Sequence, residues 1–370
     1  MPTILQFLHS YEDTSVTRIA GQIIQHLAPQ GYTFHTGVAV DDPKQKAFIQ
    51  SLGATTMEFF KTPPIPAAIR DFIRQNGVQI VHSHTPRTAV LTNLALRGVA
   101  NVAHVTTRHL LTQLNSRKMG LVYTAVDRVS LYMPNLIIPV SKTMGEQIRS
   151  FPMIDPQKVF PIQNGVDTRR FYVPEERPGC RAELGLRDNE IVFLFTGRLE
   201  WMKRIDLLLT AFHTIRTHHP HTRLLIAGVG TLETELKQQA ESLGLLKDNA
   251  VLFLGFRRDV QRLLAACDVY VQSSSNEGLS LSILEAMAAE KAIVATNVGA
   301  ALEVLEDGVT AHVIPPLEVE PLTNSMLAVV EQPEQAKALA SRARAVVNAQ
   351  FSVEKMAENY ARAYQKFLSR

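Results

Sequence analysis

The fold is decided most clearly by residues 191–227, which read IVFLFTGRLEWMKRIDLLLTAFHTIRTHHPHTRLLIA. The stretch begins with an uninterrupted apolar run, Ile191–Phe195, and ends with a second strand-like run, Arg223–Ala227. Between them, Ile205–Thr217 carries apolar residues at helical spacing. A strand that is buried on both faces is apolar throughout, and a helical connection between two such strands makes them parallel. Residues 191–227 therefore predict a βαβ unit.

The same alternation extends over most of the 370 residues. Further strand-like runs lie at Ile4–Leu8, Thr33–Val40, Val78–His82, Val102–Thr106, Leu136–Val140, Val159–Ile162, Val251–Leu254, Val269–Val271, Ala292–Ala295 and Ala311–Ile314. The segment Tyr172–Gly179, with two prolines, a glycine and three charges, is typical of a linker. We therefore predict an α/β protein with two doubly wound parallel-sheet domains, residues 1–175 and 176–351, followed by an amphipathic helix in residues 352–370.

Composition limits the class of protein and its partners. The apolar fraction is 46% and the charged fraction 20%, which predicts a globular chain rather than a disordered one. A net charge of +3 is too small to steer nucleic acid, so no nucleic-acid partner is expected. The start, Met1–Leu5, has no basic residue ahead of its apolar stretch, which is unlike a signal peptide. No run of about 18 apolar residues occurs, and we expect a cytoplasmic protein.

One candidate ligand site follows the first strand of the second domain. The turn Gly197–Asp206 carries Arg198 and Lys203 directly after the strand Ile191–Phe195. Ligands of α/β proteins bind at the carboxyl ends of parallel strands, and glycine allows a close approach to the backbone. A forked guanidinium and a lysine ammonium together suit a diphosphate. A solvated basic turn is the alternative interpretation.

A second candidate site lies in Glu277–Ala288, after the strand Val269–Val271. A helix that begins near Leu281 would direct free backbone N–H groups at the preceding loop and so create an anion site. Ser282–Glu285 also fits a capping box, which would explain Glu285 without a ligand. Glu277 has the alternative of an exposed loop acid. A third segment, Asn297–Glu303, predicts a strand-to-helix turn made of small residues.

Taken together, these motifs resemble those of the retaining glycosyltransferases of family 4, which have the GT-B fold. The resemblance covers nearly the whole chain and rests on an ordered series of motifs. They are Val81–His84, Thr106–His109, Pro139–Ser141, Asn164–Asp167 with Phe171, Gly197–Asp206, Ile226–Gly230, Phe253–Gly255, Asp268–Val269 and Glu277–Glu285. The resemblance implies two Rossmann-like domains that face a central cleft, with the last helix crossing back to the N-terminal domain. It also implies a hexosyltransferase of cell-envelope or polysaccharide synthesis.

The resemblance also implies a role for each site residue. Catalytic roles fall on Arg198 and Lys203, which would bind the diphosphate and stabilise the leaving group, on Glu277, which would contact sugar hydroxyls, and on His109, which would reach the donor sugar. Donor binding falls on Glu285 at the ribose, on the amides of Leu281 and Ser282 at the phosphates, and on Gly197, Gly228, Gly278, Phe256 and Arg257. A packed strand-end histidine is the alternative for His109.

The expected reaction moves a sugar from a nucleotide-diphosphate sugar to a glycan, a lipid-linked or a small-molecule acceptor, with retention. No Asp-x-Asp triplet and no set of metal ligands is identifiable, so we predict neither a metal nor another cofactor. His82 and His84 are expected to have surface or packing roles rather than to bind a metal. The first strand-to-helix loop departs from the family pattern because it lacks glycine, and the hydroxyls of Thr14 and Ser15 are candidates to replace the backbone contacts.

Three rival functions remain open from the sequence. Gly228-Val229-Gly230 suits a dinucleotide-dependent oxidoreductase, although the third glycine of that motif is replaced by Glu233. A GT-B epimerase or phosphorylase is the second rival. The third is a GT-B protein that binds nucleotide sugar without turnover.

Charge is distributed unevenly along the chain. Residues 1–175 hold 17 Lys and Arg against 11 Asp and Glu, whereas the remainder holds 21 against 24. A cluster of Arg108, Arg117, Lys118 and Arg128 flanks the stretch that ends in Leu131-Tyr132-Met133. This pattern suits peripheral contact with an anionic membrane at its inner face. A solvated helix face is the alternative.

Overall fold

The computed structural model describes residues 1–9, 14–39, 46–58, 65–111 and 121–368. The chain forms two compact units, each with its own set of internal contacts. One unit comprises Met1–Gly165 together with Val353–Arg370, and the other comprises Val166–Ser352. We call them the N-unit and the C-unit.

The N-unit contains a six-stranded parallel sheet in the order β3-β2-β1-β4-β5-β6. Its strands are β1 Thr3–Leu8, β2 Thr33–Val38, β3 Thr55–Glu58, β4 Ile80–Ser83, β5 Ala103–Arg108 and β6 Leu136–Pro139. Its helices are α1 Ser15–Leu27, α2 Lys46–Ser51, α3 Ile65–Gln75, α4 Pro86–Ala95, α5 Leu121–Tyr132, α6 Lys142–Arg149 and, from the end of the chain, α14 Val353–Leu368.

The C-unit repeats this topology, with the sheet order β12-β11-β10-β7-β8-β9 and parallel pairing throughout. Its strands are β7 Ile191–Thr196, β8 Thr222–Ala227, β9 Val251–Gly255, β10 Val269–Gln272, β11 Ala292–Thr296 and β12 His312–Ile314. Its helices are α7 Arg177–Glu183, α8 Ile205–His218, α9 Glu233–Ser242, α10 Val260–Ala266, α11 Leu281–Ala288, α12 Val319–Glu331 and α13 Pro333–Gln350. The predicted α/β class with two doubly wound parallel sheets is confirmed.

The apolar runs form the cores because helices cover both faces of each sheet. In β7, Val192 to Phe195 are all buried, and Phe193 packs edge-on against Phe212 of α8 with ring centroids 5.9 Å apart. Burying a side chain of this size contributes roughly 1.5–3 kcal/mol. The carboxyl ends of β7, β8 and β10 are thereby fixed at one edge of the C-unit sheet.

Two strand predictions differ from the structure. The edge strand β3, Thr55–Glu58, was not predicted, because a short edge strand needs no apolar run. The predicted strand Val159–Ile162 is not a strand of the sheet. Val159 forms an isolated bridge with Ile137, and Phe160 and Ile162 donate their N–H groups to the carbonyls of Ile137 and Pro139 at 2.9 and 3.0 Å, so the segment lies along β6 without forming a strand.

The boundary between the units lies at Gly165 and Val166, ten residues before the predicted position. The predicted linker is instead part of the C-unit, where a 3-10 turn, Pro174–Glu176, leads into α7. Arg177 fastens this segment to the end of α10 by donating to the carbonyls of Ala265, Ala266 and Cys267 at 3.0–3.2 Å. Proline and glycine here start a helix rather than form a flexible connection.

The last helix, α14, packs in the N-unit. It lies against α1, and Tyr360 and Tyr364 are fully buried there. Gly165 donates its N–H to the sulfur of Met356 at 3.2 Å. Among the described residues, no helix is long and apolar enough to cross a membrane.

Candidate active site

Lys203 and Glu277 meet at the carboxyl edge of the C-unit sheet. Lys203 ends a 3-10 turn, Trp201–Lys203, that follows β7, and Glu277 lies in the loop after β10. Nζ of Lys203 and Oε1 of Glu277 form a close ion pair, in which the two side chains are 17% and 14% exposed. The structure therefore brings two of the predicted catalytic residues into contact.

Serines of the β10 loop hold this pair in place. Oγ of Ser274 donates to Oε1 of Glu277 at 2.7 Å, and Oγ of Ser273 donates to the carbonyl of Lys203 at 2.8 Å. The N–H of Ser275 donates to the carbonyl of Met202 at 2.7 Å. The loops after β7 and β10 are thus joined by side-chain and backbone hydrogen bonds, which fix the charged pair with little freedom.

Arg198 is placed differently from Lys203. It follows Gly197 at the end of β7 and is exposed. Within the described residues its guanidinium forms no ion pair or hydrogen bond. An exposed guanidinium with five donors is available to bind an anion in solution.

The first turn of α11 presents backbone N–H groups beside Glu277. The helix begins at Leu281, as predicted, and its N-cap residue Ser280 makes no capping hydrogen bond. Oγ of Ser280 instead contacts Oγ of Ser282 at 2.9 Å. The alternative interpretation of Ser282–Glu285 as a capping box is therefore wrong, because the helix begins at Leu281 and its N-cap is Ser280. The amides of Leu281 and Ser282 are consequently not used by a side-chain cap, and the partial positive charge of the helix end favours an anion.

Glu285 lies one turn further along α11 and is 6% exposed. Tyr270 of β10 lies within the electrostatic influence of both Glu285 and Glu277, and burial raises the pKa of its hydroxyl. The two acids of the Glu-x7-Glu motif thus surround the same strand end.

The glycines of this edge allow backbone segments to pack closely. A Cβ on Gly228, whose φ is +151°, would lie 1.8 Å from the carbonyl oxygen of Gly197. A Cβ on Gly230 would lie 2.4 Å from the carbonyl of Leu199. The Gly-x-Gly pair therefore has a packing reason, because it lets the loops after β7 and β8 touch. This contact removes the main sequence argument for a dinucleotide site.

Gly278 and Gly299 connect the β10 loop to the β11 loop. Gly299 has a φ of +59°, and a Cβ there would lie 2.3 Å from the carbonyl of Glu277. The N–H of Ala300 donates to the carbonyl of Gly278 at 3.0 Å. The loop that carries Glu277 is thus braced on both sides.

Phe256 and Arg257 follow β9 at the same edge of the sheet. Phe256 is 46% exposed, so its ring is available to stack on a ligand. Arg257 is held by Asp259 at 2.6 Å and by Glu183 at 3.3 Å, and the hydrogen bond to Asp259 raises its pKa. The charge of Arg257 is therefore already paired with carboxylates of the C-unit.

His109, the predicted catalytic residue of the N-unit, follows β5 and contacts a buried hydrogen-bond chain. Its Nε2 lies 3.3 Å from Nδ1 of His84, and Nε2 of His84 lies 2.6 Å from Oε1 of Gln6. The chain continues through Tyr364, whose hydroxyl lies 3.1 Å from Nε2 of Gln6 and 2.7 Å from Nδ1 of His82. His82 and His84 thus have the predicted packing role, and they are buried rather than at the surface.

These histidines are neutral. Burial lowers the pKa of His82 and of His84 well below the ordinary value, and neighbouring histidines lower it further. Burial, with a smaller contribution from the charge of Arg108, lowers the pKa of His109 to about 3. Each ring therefore carries one proton at neutral pH and both donates and accepts.

The structure also places other residues that were predicted in the N-unit. Thr14 is the N-cap of α1 and accepts from the N–H of Thr17 at 3.4 Å, while Ser15 is the exposed first residue of that helix. Arg108 does not belong to a surface cluster, because it is 1% exposed and paired with Asp127. It is the last residue of β5, and its side chain enters the core, where it also donates to Ser130 at 3.1 Å. Arg117 and Lys118 lie outside the described residues.

Within the described part of the chain, no three His, Cys, Asp or Glu side chains converge as metal ligands.

Two family models match the sequence of this chain. One family model, Glycosyltransferase Family 4, matches residues 16–170, and a second, Glycosyl transferases group 1, matches residues 177–346. The lipopolysaccharide core biosynthesis mannosyltransferase LpcC of Rhizobium leguminosarum is 30% identical over 267 residues, which cover 70% of this chain and 74% of LpcC. The chain belongs to the group 1 glycosyltransferases. The predicted family is thereby confirmed.

Two other proteins extend the comparison for this glycosyltransferase. The alpha-maltose-1-phosphate synthase of Mycobacterium tuberculosis is 32% identical over 260 residues, 65% of each protein, so the chain spans about two thirds of that relative. Anabaena HepE, whose crystal structure contains UDP-glucose, superposes with a TM-score of 0.87 at 22% identity. That match covers 99% of this chain and 100% of HepE and shows the shared GT-B fold.

Several residues that hold the predicted site residues of each unit in place were not predicted. Ser273 and Ser274 hold the Lys203–Glu277 pair, and Gln6 and Tyr364 hold His84 and His82. The serines could have been found from their position directly before Glu277 at a strand end. Gln6 was signalled only by being a polar residue inside the apolar run of β1.

Proposed function

We propose that this chain transfers a sugar from a nucleotide-diphosphate sugar to an acceptor, with retention at the anomeric carbon and without a metal ion. The observation that carries the proposal is the Lys203–Glu277 pair, held at the strand edge next to the uncapped first turn of α11. Cationic side chains, helix N–H groups and hydroxyl-accepting carboxylates are the groups that a nucleotide-diphosphate sugar requires.

Each group has a distinct task in this reaction. The amides of Leu281 and Ser282 bind the phosphates, and Glu285 accepts hydrogen bonds from the ribose. Glu277 accepts from hydroxyls of the transferred sugar and keeps Lys203 in position. As the anomeric bond breaks, negative charge develops on the diphosphate, and Lys203 and Arg198 stabilise it.

Retention arises when the acceptor approaches on the face from which the diphosphate departs. A phosphate oxygen of the leaving group then takes the acceptor proton, and no protein base is needed. Positive charge develops on the sugar ring in the transition state. The two cationic side chains supply the countercharge for the diphosphate that a metal ion supplies in other enzymes, which supports a metal-independent reaction.

The relatives suggest which donors and acceptors to test first. HepE binds UDP-glucose and LpcC is a mannosyltransferase of lipopolysaccharide core synthesis, so UDP and GDP sugars form the first donor panel. We infer a carbohydrate acceptor of polysaccharide or cell-envelope synthesis, either free or linked to a lipid.

The test is a donor panel with two readouts. The donor that binds raises the melting temperature of the protein, and the same donor supports release of nucleoside diphosphate. Lys203→Ala and Arg198→Ala should each lower turnover by at least about 100-fold while the protein remains folded. Near-normal turnover in both variants would overturn the assignment, and binding without any turnover would favour a non-catalytic sugar-nucleotide binder.

We further propose that the N-unit contacts an anionic membrane through a surface that we call the α5 patch, consisting of Val129, Tyr132, Met133 and Met153. These side chains are 51%, 38%, 49% and 91% exposed. Tyr132 donates to the carbonyl of Pro152 at 3.0 Å, which joins the end of α5 to the loop of Met153. Arg128 stacks on the ring of Phe151, 3.6 Å from its centroid, and places a positive charge in the same region.

A further inference from the structure

The buried hydrogen-bond chain His109–His84–Gln6–Tyr364–His82 connects the predicted catalytic histidine to the last helix of the protein. Its members come from β1, β4, the residue that follows β4, the segment after β5, and α14. Gln6 and Tyr364, which are 358 positions apart, are both fully buried, and His84 is 2% exposed. A buried polar chain with every member paired rigidifies its surroundings and restricts proton positions.

The proton positions follow from the amide of Gln6. Its Nε2 donates to the hydroxyl oxygen of Tyr364, so its Oε1 can only accept, and His84 must donate to it from Nε2. Because burial keeps His84 neutral, the ring has no proton left on Nδ1. Nδ1 of His84 is therefore an acceptor.

His109 is the only ring that can donate to that acceptor within the described residues. Its Nε2 lies 3.3 Å from Nδ1 of His84 and carries the proton of the neutral ring. Its Nδ1 then holds a lone pair and has no hydrogen-bond partner in the described part of the chain. An imidazole in this form accepts from a hydroxyl and does not donate to it.

We propose that Gln6 and Tyr364 are positioning residues that fix His109 in its Nε2–H tautomer, so that its Nδ1 accepts a hydrogen bond from a hydroxyl of a sugar substrate. The proton positions depend only on the chain of contacts, whereas the sugar contact rests on the proposed function. A sugar substrate that lacks the matching hydroxyl would lose this hydrogen bond, which makes Nδ1 a specificity element.

The hydrogen bonds beyond Tyr364 are consistent with the same proton positions. Tyr364 accepts from Gln6, so its own proton goes to Nδ1 of His82, 2.7 Å away. His82 then donates from Nε2 to Oγ1 of Thr107, also at 2.7 Å, and Thr107 contacts the hydroxyl of Tyr360 at 3.1 Å. Tyr360 therefore terminates the chain and does not determine the state of His109.

The test reads the tautomer directly by long-range ¹⁵N–¹H NMR of the full chain labelled with ¹⁵N-histidine, assigned with His109→Gln. At pH 7.5, the wild-type spectrum should show His109 protonated on Nε2 and unprotonated on Nδ1. Gln6→Leu and Tyr364→Phe should each raise the fraction with the proton on Nδ1. Tyr360→Phe, the matched control on the same helix, should leave the His109 signals unchanged.

A wild-type proton on Nδ1, or an unaltered His109 tautomer in Gln6→Leu, would overturn the proposal. The wild-type measurement needs no variant and stays decisive if a substitution prevents folding. In the transfer assay, Gln6→Leu should lower kcat about tenfold, the value of one weakened hydrogen bond. A correct tautomer in a protein that transfers no sugar would overturn the proposed function and leave the positioning role intact.

Discussion

At the scale of single residues, the site depends on a charge pair rather than on isolated charges. Lys203 and Glu277 partly neutralise each other, and Ser274 directs the carboxylate toward the lysine. Glu277 therefore acts twice, since it orients Lys203 and accepts hydrogen bonds from the sugar. These two tasks respond differently when the carboxylate loses its charge.

Glu277→Gln should slow transfer by at least about 100-fold and, at the same time, tighten the binding of nucleoside diphosphate about fivefold. The amide keeps the shape and the contact with Ser274, while Lys203 loses its countercharge and interacts more strongly with phosphate. Turnover and product-inhibition constants measure the two effects. The control is Glu200→Gln, which neutralises a carboxylate in the loop that carries Lys203. Glu200 accepts a hydrogen bond from Thr231 at 2.9 Å, and its substitution should change neither turnover nor product binding by more than about twofold. Weaker product binding in Glu277→Gln would contradict this account.

At the scale of elements, the loops after β7 and β8 pack backbone to backbone. We expect Gly228→Ala to cost more than about 3 kcal/mol of unfolding free energy, because the new Cβ meets the carbonyl of Gly197 at 1.8 Å. Gly244→Ala, at a φ of +71° in open space, should cost only about 1 kcal/mol of backbone strain. Urea denaturation compares the two variants, and equal losses would show that the contact between the loops is unimportant.

The sheet edge of the N-unit should be sensitive to acid. His82, His84, His104 and His109 have lowered pKa values when folded, so protons bind preferentially to the unfolded chain as the pH falls. Above about pH 6.5 these histidines do not lower the free energy of unfolding. As the pH falls below that value, each histidine lowers it by up to about 1.4 kcal/mol per pH unit until the pH reaches the pKa of that histidine in the folded protein.

The urea concentration at the midpoint of unfolding should therefore decrease as the pH is lowered from 7.5 to 5. His104→Gln should weaken this pH dependence, because it removes a ring held by Asn93 at 2.6 Å and Ser83 at 2.9 Å, whereas the exposed His218→Gln should not. A midpoint that stays constant over this range would contradict the neutral, buried state of the histidines.

The helices and strands could be predicted from the sequence more reliably than the contacts between them. The apolar runs of β7 and β8 and the start of α11 at Leu281 were predictable, because each is determined by neighbouring residues. The edge strand β3 was not, since Thr55–Glu58 is mostly polar. The apolar run Val159–Ile162 was wrongly predicted as a strand, because it lies along β6 with a single isolated bridge.

Contacts between residues that are distant in the sequence could not be predicted from it. No local pattern pairs Gln6 with Tyr364, or Arg108 with Asp127, because their contacts exist only once the chain has folded. Arg108 shows the consequence: as a sequence position it suggested a basic surface, whereas the fold buries it. The family motif predicted catalytic roles for Lys203 and Glu277, and the structure brings the two side chains into contact, but the serines that hold them were not predicted.

At the scale of the whole molecule, the basic N-unit should bind anionic vesicles through the α5 patch. Met133→Asp and Val129→Asp should each reduce binding to phosphatidylglycerol vesicles severalfold at low salt, because they place a negative charge against the membrane. Leu317→Asp, at a residue of the C-unit that is 54% exposed, is the matched control and should leave binding unchanged. The absence of wild-type binding at low salt, measured by vesicle sedimentation, would remove the membrane proposal.

The central claim, retaining transfer from a nucleotide sugar, is tested most directly by the first product formed. In the absence of an acceptor, slow hydrolysis of the donor identified by the melting-temperature screen can be followed by ¹H NMR of the anomeric proton, with UDP-α-D-glucose as the first candidate. We predict that the α-anomer is released before mutarotation and that Lys203→Ala abolishes the release. Initial formation of the β-anomer, or equal release by the Lys203→Ala variant, would contradict the account.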